Sequence, residues 1–139
     1  MLPPKTFQPL LTGPAERVPA LCPDEEEGLR RVMRAYRGEP YCLVSKWVIV
    51  ELDVEQAIID KLHLDGLHPC VLFARRVIYD SRGRYSRENY VLTSPLKWLD
   101  ECYFVTQNTV YVLIGGGERQ RCKYNHLIGK PHPATNSQP

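Results

Sequence analysis

Pro69-Cys70-Val71-Leu72-Phe73-Ala74-Arg75-Arg76-Val77-Ile78-Tyr79 opens the stretch that decides the fold, and the turn cluster Asp80-Ser81-Arg82-Gly83-Arg84 follows it. A second β-rich run covers residues 85–93. Cys102-Tyr103-Phe104-Val105-Thr106 and Thr109-Val110-Tyr111-Val112-Leu113-Ile114 are then separated only by Gln107-Asn108. Short runs of β-branched and aromatic residues bounded by Asp, Ser, Gly and Asn read as strands and hairpins. Asn tolerates positive φ, so residues 107 and 108 predict a tight type I′ turn. Phe104, Val110 and Val112 are the core candidates of that hairpin, with Thr109 and Tyr111 on the opposite face.

Upstream, Asp24 and Glu27 form a capping-box pattern that predicts a helix from Asp24 to Arg37. Leu29, Val32, Met33 and Tyr36 fall on one apolar stripe, and Gly38 and Pro40 stop the helix. Arg30, Arg31, Arg34 and Arg37 read as its solvated face. Residues 41–52 predict a strand whose Trp47-Val48-Ile49-Val50 segment has no polar face and is buried on both sides. The repeated capping pattern at Asp53-Val54-Glu55-Gln56 predicts a short helix over 54–63, with Ala57, Ile58 and Leu62 inward. The fold expected is therefore α+β: an N-terminal amphipathic helix and a short second helix packed on a five-stranded antiparallel sheet. Closure into a small SH3-like or OB-like barrel is the alternative.

The 139 residues, 43% of them hydrophobic, suffice for one core. The expected organisation is a proline-rich arm over 1–22, a single domain over 23–128 and a flexible tail over 129–139. The arm carries Pro3, Pro4, Pro9, Pro14 and Pro19 and is read as extended, with its docking left open. Gly115-Gly116-Gly117 breaks the last strand; the remainder is basic and then rich in Pro, Asn and Ser, and little regular structure is expected beyond about residues 127–128. Five cysteines without a C-x-x-C pair or a secretory signal point to a reducing compartment, and no run is long enough to span a bilayer. A cytoplasmic location is expected.

The net charge of +2 does not argue for a polyanion partner. Its distribution says more. Arg75, Arg76, Arg82, Arg84 and Arg87 face Asp80 alone, and Arg119, Arg121, Lys123 and Lys130 face Glu118 alone. His63, His68 and Cys70, or Cys122 with His126, lack the paired spacing of zinc ligands. Cys122 with His126, or Ser81 beside Asp80, lacks any elbow or oxyanion loop. The glycine run lacks the Lys-Ser/Thr of a phosphate loop. No cofactor, metal or catalytic residue is expected. The arginine turn with Tyr79, Tyr85 and Tyr90 suits a protein interface, where Tyr and Arg anchors are enriched. It also suits stacking and phosphate contact with nucleic acid. The bland reading is a charged hairpin that keeps a sheet edge soluble.

Asp80-Ser81-Arg82-Gly83-Arg84-Tyr85, Tyr90-Val91-Leu92-Thr93-Ser94 and the 104–113 segment resemble an uncharacterised family of short proteobacterial and prophage proteins. That family shows a D-S-R-x-R-F turn, a W-V-x-[ST]-[ST] strand and an F-x-T-x-N-T-V-Y-V-L hairpin; Tyr85 and Tyr90 depart from it. The resemblance implies a bacterial or temperate-phage accessory protein and brings no activity with it. The function expected is non-enzymatic binding of a host macromolecule, a protein first, through Arg75, Arg76, Tyr79, Arg82, Arg84, Tyr85 and Arg87. The alternative is nucleic-acid binding through Arg82, Arg84, Arg87, Arg119, Arg121 and Lys123. An enzyme is the third reading.

Overall fold

The computed structural model describes residues 11–87 and 89–123. The expectations for residues 1–10, Glu88, His126, residues 127 and 128, Lys130 and the 129–139 tail lie outside them. In chain order the elements are β1 (Leu11–Val18), α1 (Glu25–Ala35), β2 (Tyr41–Asp53), α2 (Gln56–Leu64), β3 (Cys70–Asp80), β4 (Val91–Leu92), β5 (Trp98–Asp100), β6 (Tyr103–Val105), β7 (Val110–Leu113) and β8 (Gly117–Lys123).

The class is α+β, but among the described residues the sheet has eight strands and is mixed rather than five-stranded and antiparallel. It curls into a half-barrel, leaving β1, β4 and β5 as edges. β2 is its axis. On one side it pairs with β3 antiparallel along almost its whole length. On the other it runs parallel to β7 through residues 41–44 and then parallel to β8 through 48–53. The handover occurs at a double bend: Lys46 has φ 52° in β2, and Gly115 has φ 73° between β7 and β8. Trp47 holds the bend, donating its indole N–H to the Gly115 carbonyl at 3.1 Å. A Cβ on Gly117 would lie 2.3 Å from that indole, so only glycine fits there.

Two faces of hydrophobic packing result. On one, Val44, Trp47, Leu72, Ala74, Val77, Phe104, Tyr111 and Leu113 form a continuous cluster. On the other, α1 covers Leu43, Ile78, Tyr103, Val105, Val110, Val112 and Ile114, and Val48, Val50, Val71 and Phe73 form a separate cluster. The segment 47–50 is buried throughout, as its lack of a polar face requires. β7 is buried on both faces as well, so Phe104 and Tyr111 share one face while Val110 and Val112 occupy the other. The expected grouping of Phe104 with the two valines is therefore corrected.

α1 begins as read, with the Glu27 amide donating to Asp24 Oδ1 at 2.9 Å. Its buried line is Gly28 and Val32, continued by half-buried Tyr36. Gly28 lets the helix approach Val112, Ile114 and Cys22. This close approach rotates Leu29 and Met33 outward to 37% and 58% exposure, contrary to the four-residue stripe. α2 buries no residue; Ala57 is exposed, and its N-cap is Glu55 without a side-chain bond. The run over 85–93 contributes only the two residues of β4. The 106–109 turn is a Thr turn rather than type I′, because Thr106 Oγ1 accepts from the Thr109 amide at 3.2 Å and Asn108 has no positive φ. The second half of the arm is extended and pairs as β1 with β8.

Candidate functional site

The arginine turn is built around a buried carboxylate. Asp80 takes the Arg84 amide at 2.6 Å and its Nε at 3.0 Å on Oδ2, and Arg84 Nη2 at 2.7 Å on Oδ1. Arg84 Nη1 also donates to Thr109 Oγ1 at 2.8 Å. Burial alone would pull the Arg84 guanidinium down, but the bond to Asp80 and its charge hold it above its ordinary value. Arg84 thus ties the β3 turn to the β6–β7 turn. Its guanidinium lies 5.5 Å from the Tyr85 ring, which packs on the Trp47 face of the sheet.

The other predicted residues scatter. Arg82 donates to the Gly38 carbonyl at 2.9 Å, just beyond α1. Arg87 donates to the Ile78 carbonyl at 2.8 Å. Arg75 lies over Phe73 at 5.4 Å, beside the Lys46 bend, and Arg76 stands opposite Ser45. Arg119 pairs with Glu51 at 3.5 Å and faces Glu16 in register. Arg121 stands opposite Glu51, and Lys123 opposite Asp53. The seven residues expected to share one surface therefore divide between two faces, and the basic residues of β8 stand across from acids on β1 and β2.

What the fold does assemble is an aromatic row. Register runs from Trp98 to Val105, from Val105 to Val110 and from Val110 to Tyr41, so four strands carry one line across the α1 face. Tyr36, at the C-cap of α1, lies over it: its ring meets Tyr103 edge-on at 5.2 Å, and its hydroxyl is 3.5 Å from the Trp98 indole nitrogen. Tyr41 continues the row to Tyr79, ring centroids 6.0 Å apart. Tyr79 is 49% exposed and Trp98 44%. Lys97 caps the Trp98 ring at 4.9 Å. Arg82 reaches the same end through Gly38, and Met33 adjoins Tyr36 one helical turn back.

Sequence reasoning found Tyr79 and Arg82 but placed Tyr36 in the core and passed over Tyr41 and Trp98. A signal was present: Trp98 sits in a run that alternation cannot bury, beside Lys97 and Asp100.

The cysteines offer poor chemistry. All five are buried and none forms a disulfide. Burial pushes the Cys70 thiol up to about 12, with Glu51 adding to it, and pushes Cys42 higher still. A thiol held protonated is a weak nucleophile. The rings of His63 and His68 lie 5.7 Å apart, yet among the described residues no group of three His, Cys, Asp or Glu is placed to hold a metal ion. No helix among the described residues is long and apolar enough to cross a membrane.

Residues 20–129 match the family model described as a domain of unknown function, DUF6957, and the chain belongs to that family. No curated protein and no solved structure matches it.

Proposed function

We propose that this chain is a non-enzymatic binding module whose partner is a protein, engaged through the row Trp98, Tyr36, Tyr41 and Tyr79 with Arg82 at its end. The observation that carries this reading is the exposure of Tyr79 and Trp98 on the same face of the sheet, with Met33 exposed one helical turn before Tyr36. Exposed aromatic and Met side chains with arginine are what protein interfaces enrich. The row is also ordered in advance: Tyr79 leans on Tyr41, Trp98 on Tyr36, and Arg82 is anchored to a carbonyl. Pre-ordering lowers the entropy lost on association. Arg84 supports the surface from behind without forming part of it.

The resemblance to short proteobacterial and prophage proteins supplies the setting of this proposal, a partner in the host cytoplasm. The nucleic-acid alternative loses support from Glu16, Glu51 and Asp53, which stand across from Arg119, Arg121 and Lys123 on the neighbouring strands. Capture from bacterial lysate with and without nuclease tests the partner class. A protein retained specifically after nuclease treatment is expected; loss of all capture on nuclease treatment would return the reading to nucleic acid.

A further inference from the structure

Two of the buried cysteines stand together. Leu113 and Gly115 donate their amides to the Cys102 and Cys22 carbonyls, at 2.8 and 2.9 Å. Amides two residues apart on an extended chain point to the same side, spaced by about 7 Å. Cys102 and Cys22 therefore lie end to end along the exit of β7, close to the Cα separation that a disulfide spans. Both side chains enter the cluster under α1, and the two thiols hydrogen-bond to each other. Gly28 of α1 closes over them, with Cys22 Sγ 3.4 Å from where its Cβ would be.

Their surroundings set them apart from Cys42 and Cys70. Arg31, fixed by Glu27 Oε2 at 2.6 Å and by the Leu21 carbonyl at 2.9 Å, also donates to the Cys102 sulfur. Burial is the largest influence on the Cys102 thiol and raises it, but Arg31 and the Cys22 thiol act to lower it. On Cys22, burial and the charge of Cys102 both act upward. Of the two, Cys102 is the better-supported thiolate. Their chain neighbours reach solvent: Leu21 is 50% exposed, and Glu101 is exposed with φ 51° in the β5–β6 turn. We propose that Cys22 and Cys102 are a reversible oxidation site, closed to a disulfide by a small disulfide of the glutathione type. Cys102 loses its proton to solvent, and the thiolate attacks one sulfur of the oxidant, whose other half leaves and is protonated. Cys22 then gives up its proton, and its sulfur attacks the Cys102 sulfur, breaking the mixed disulfide and releasing the second small thiol. Two protein thiols are oxidised and one small disulfide is reduced to two thiols. The new bond fastens the chain entering α1 to the hairpin that carries Trp98. In a reducing compartment such a pair works as a sensor, open at rest.

The test equilibrates the folded full chain with set ratios of glutathione disulfide to reduced glutathione, blocks the remaining thiols and maps the peptides by mass spectrometry. A Cys22–Cys102 disulfide is expected, with Cys42, Cys70 and Cys122 still reduced, and dithiothreitol should reopen it. This reading is made on the parent chain and needs no variant to fold. No disulfide, glutathione adducts alone, or a Cys22–Cys102 bond that forms only in denaturant would overturn the proposal. Two variants then test the order of attack. Cys22→Ser should trap glutathione on Cys102, whereas Cys102→Ser should leave Cys22 at least tenfold less modified. The reverse pattern in folded variants would overturn Cys102 as the attacking sulfur.

Discussion

Gly117 lies directly under the indole of Trp47, so close that a methyl group on Gly117 would meet the ring at 2.3–2.5 Å. This contact locks the point where β2 exchanges β7 for β8. The Trp47 indole is almost fully buried and cannot yield. Gly117→Ala should therefore destabilise by about 3 kcal/mol or more, at or above the top of the usual overpacking range. Gly116→Ala meets the Val18 carbonyl at 3.3 Å and the Ala20 amide nitrogen at 3.9 Å and should cost much less. Denaturant melts of the two variants decide it, and equal midpoints would show that the ring is not against Gly117.

Arg84 and Arg82 sit two residues apart but do different work. Removing Arg84 strands the buried Asp80 carboxylate, and breaking a buried pair costs about 3 kcal/mol. Removing Arg82 loses one exposed hydrogen bond to Gly38, about 1 kcal/mol. Arg84→Lys should not restore the parent, because an ammonium cannot reproduce the two-point contact with Asp80. Urea melts that ranked Arg82→Ala below Arg84→Ala would contradict this division.

On α1, Val32→Ala should cost about 1–3 kcal/mol, since Val32 is wholly buried. Leu29→Ala and Met33→Ala should stay within about 0.5 kcal/mol, as surface substitutions do. A large loss at Leu29 would restore the four-residue stripe and return that side chain to the core.

Alkaline pH should unfold the protein in a defined window. Burial holds the Cys70 thiol near 12 against an ordinary value of 9.0. It holds the Tyr111 hydroxyl well above its ordinary 10.0, with Tyr85 and Cys42 adding to the effect. Both groups stay protonated in the fold after the unfolded chain has released its protons. Their contribution is complete below about pH 9 and drains away as pH rises towards 12, at up to about 1.4 kcal/mol per pH unit for each group. Melting temperature against pH should be level to about 8.5 and then fall. A curve that stayed level to pH 11 would mean these groups ionise within the fold.

What the chain shows locally was legible. Asp24 and Glu27 announce the start of α1, and the β-branched runs announce β2, β3, β6 and β7. β8 was not legible, because Glu118, Arg119, Gln120 and Arg121 carry no apolar alternation. They form a strand because their backbones complete the second half of β2, a long-range demand that no local window contains. β1 is hidden likewise by Pro14 and by the register shift between Thr12 and Glu16. The Asp80–Arg84 turn was visible as composition, but its role was not. Arg82, Arg84 and Arg87 around Gly83 looked like an exposed tip until the geometry showed Arg84 spent on Asp80. The aromatic row was invisible for the opposite reason, since Tyr36 and Tyr41, Tyr79 and Trp98 come from three separate parts of the chain and are brought together by strand register and by the C-cap of α1.

The central claim, that the aromatic row binds a protein, is tested most directly by quantitative capture from nuclease-treated bacterial lysate. The baits are the parent chain, a Tyr79→Ala/Trp98→Ala variant and a Lys61→Ala control on α2, each shown to melt like the parent. At least one protein should be held by the parent and the control and reduced tenfold or more on the double variant. Equal capture by all three baits would contradict it and remove this face as the binding surface.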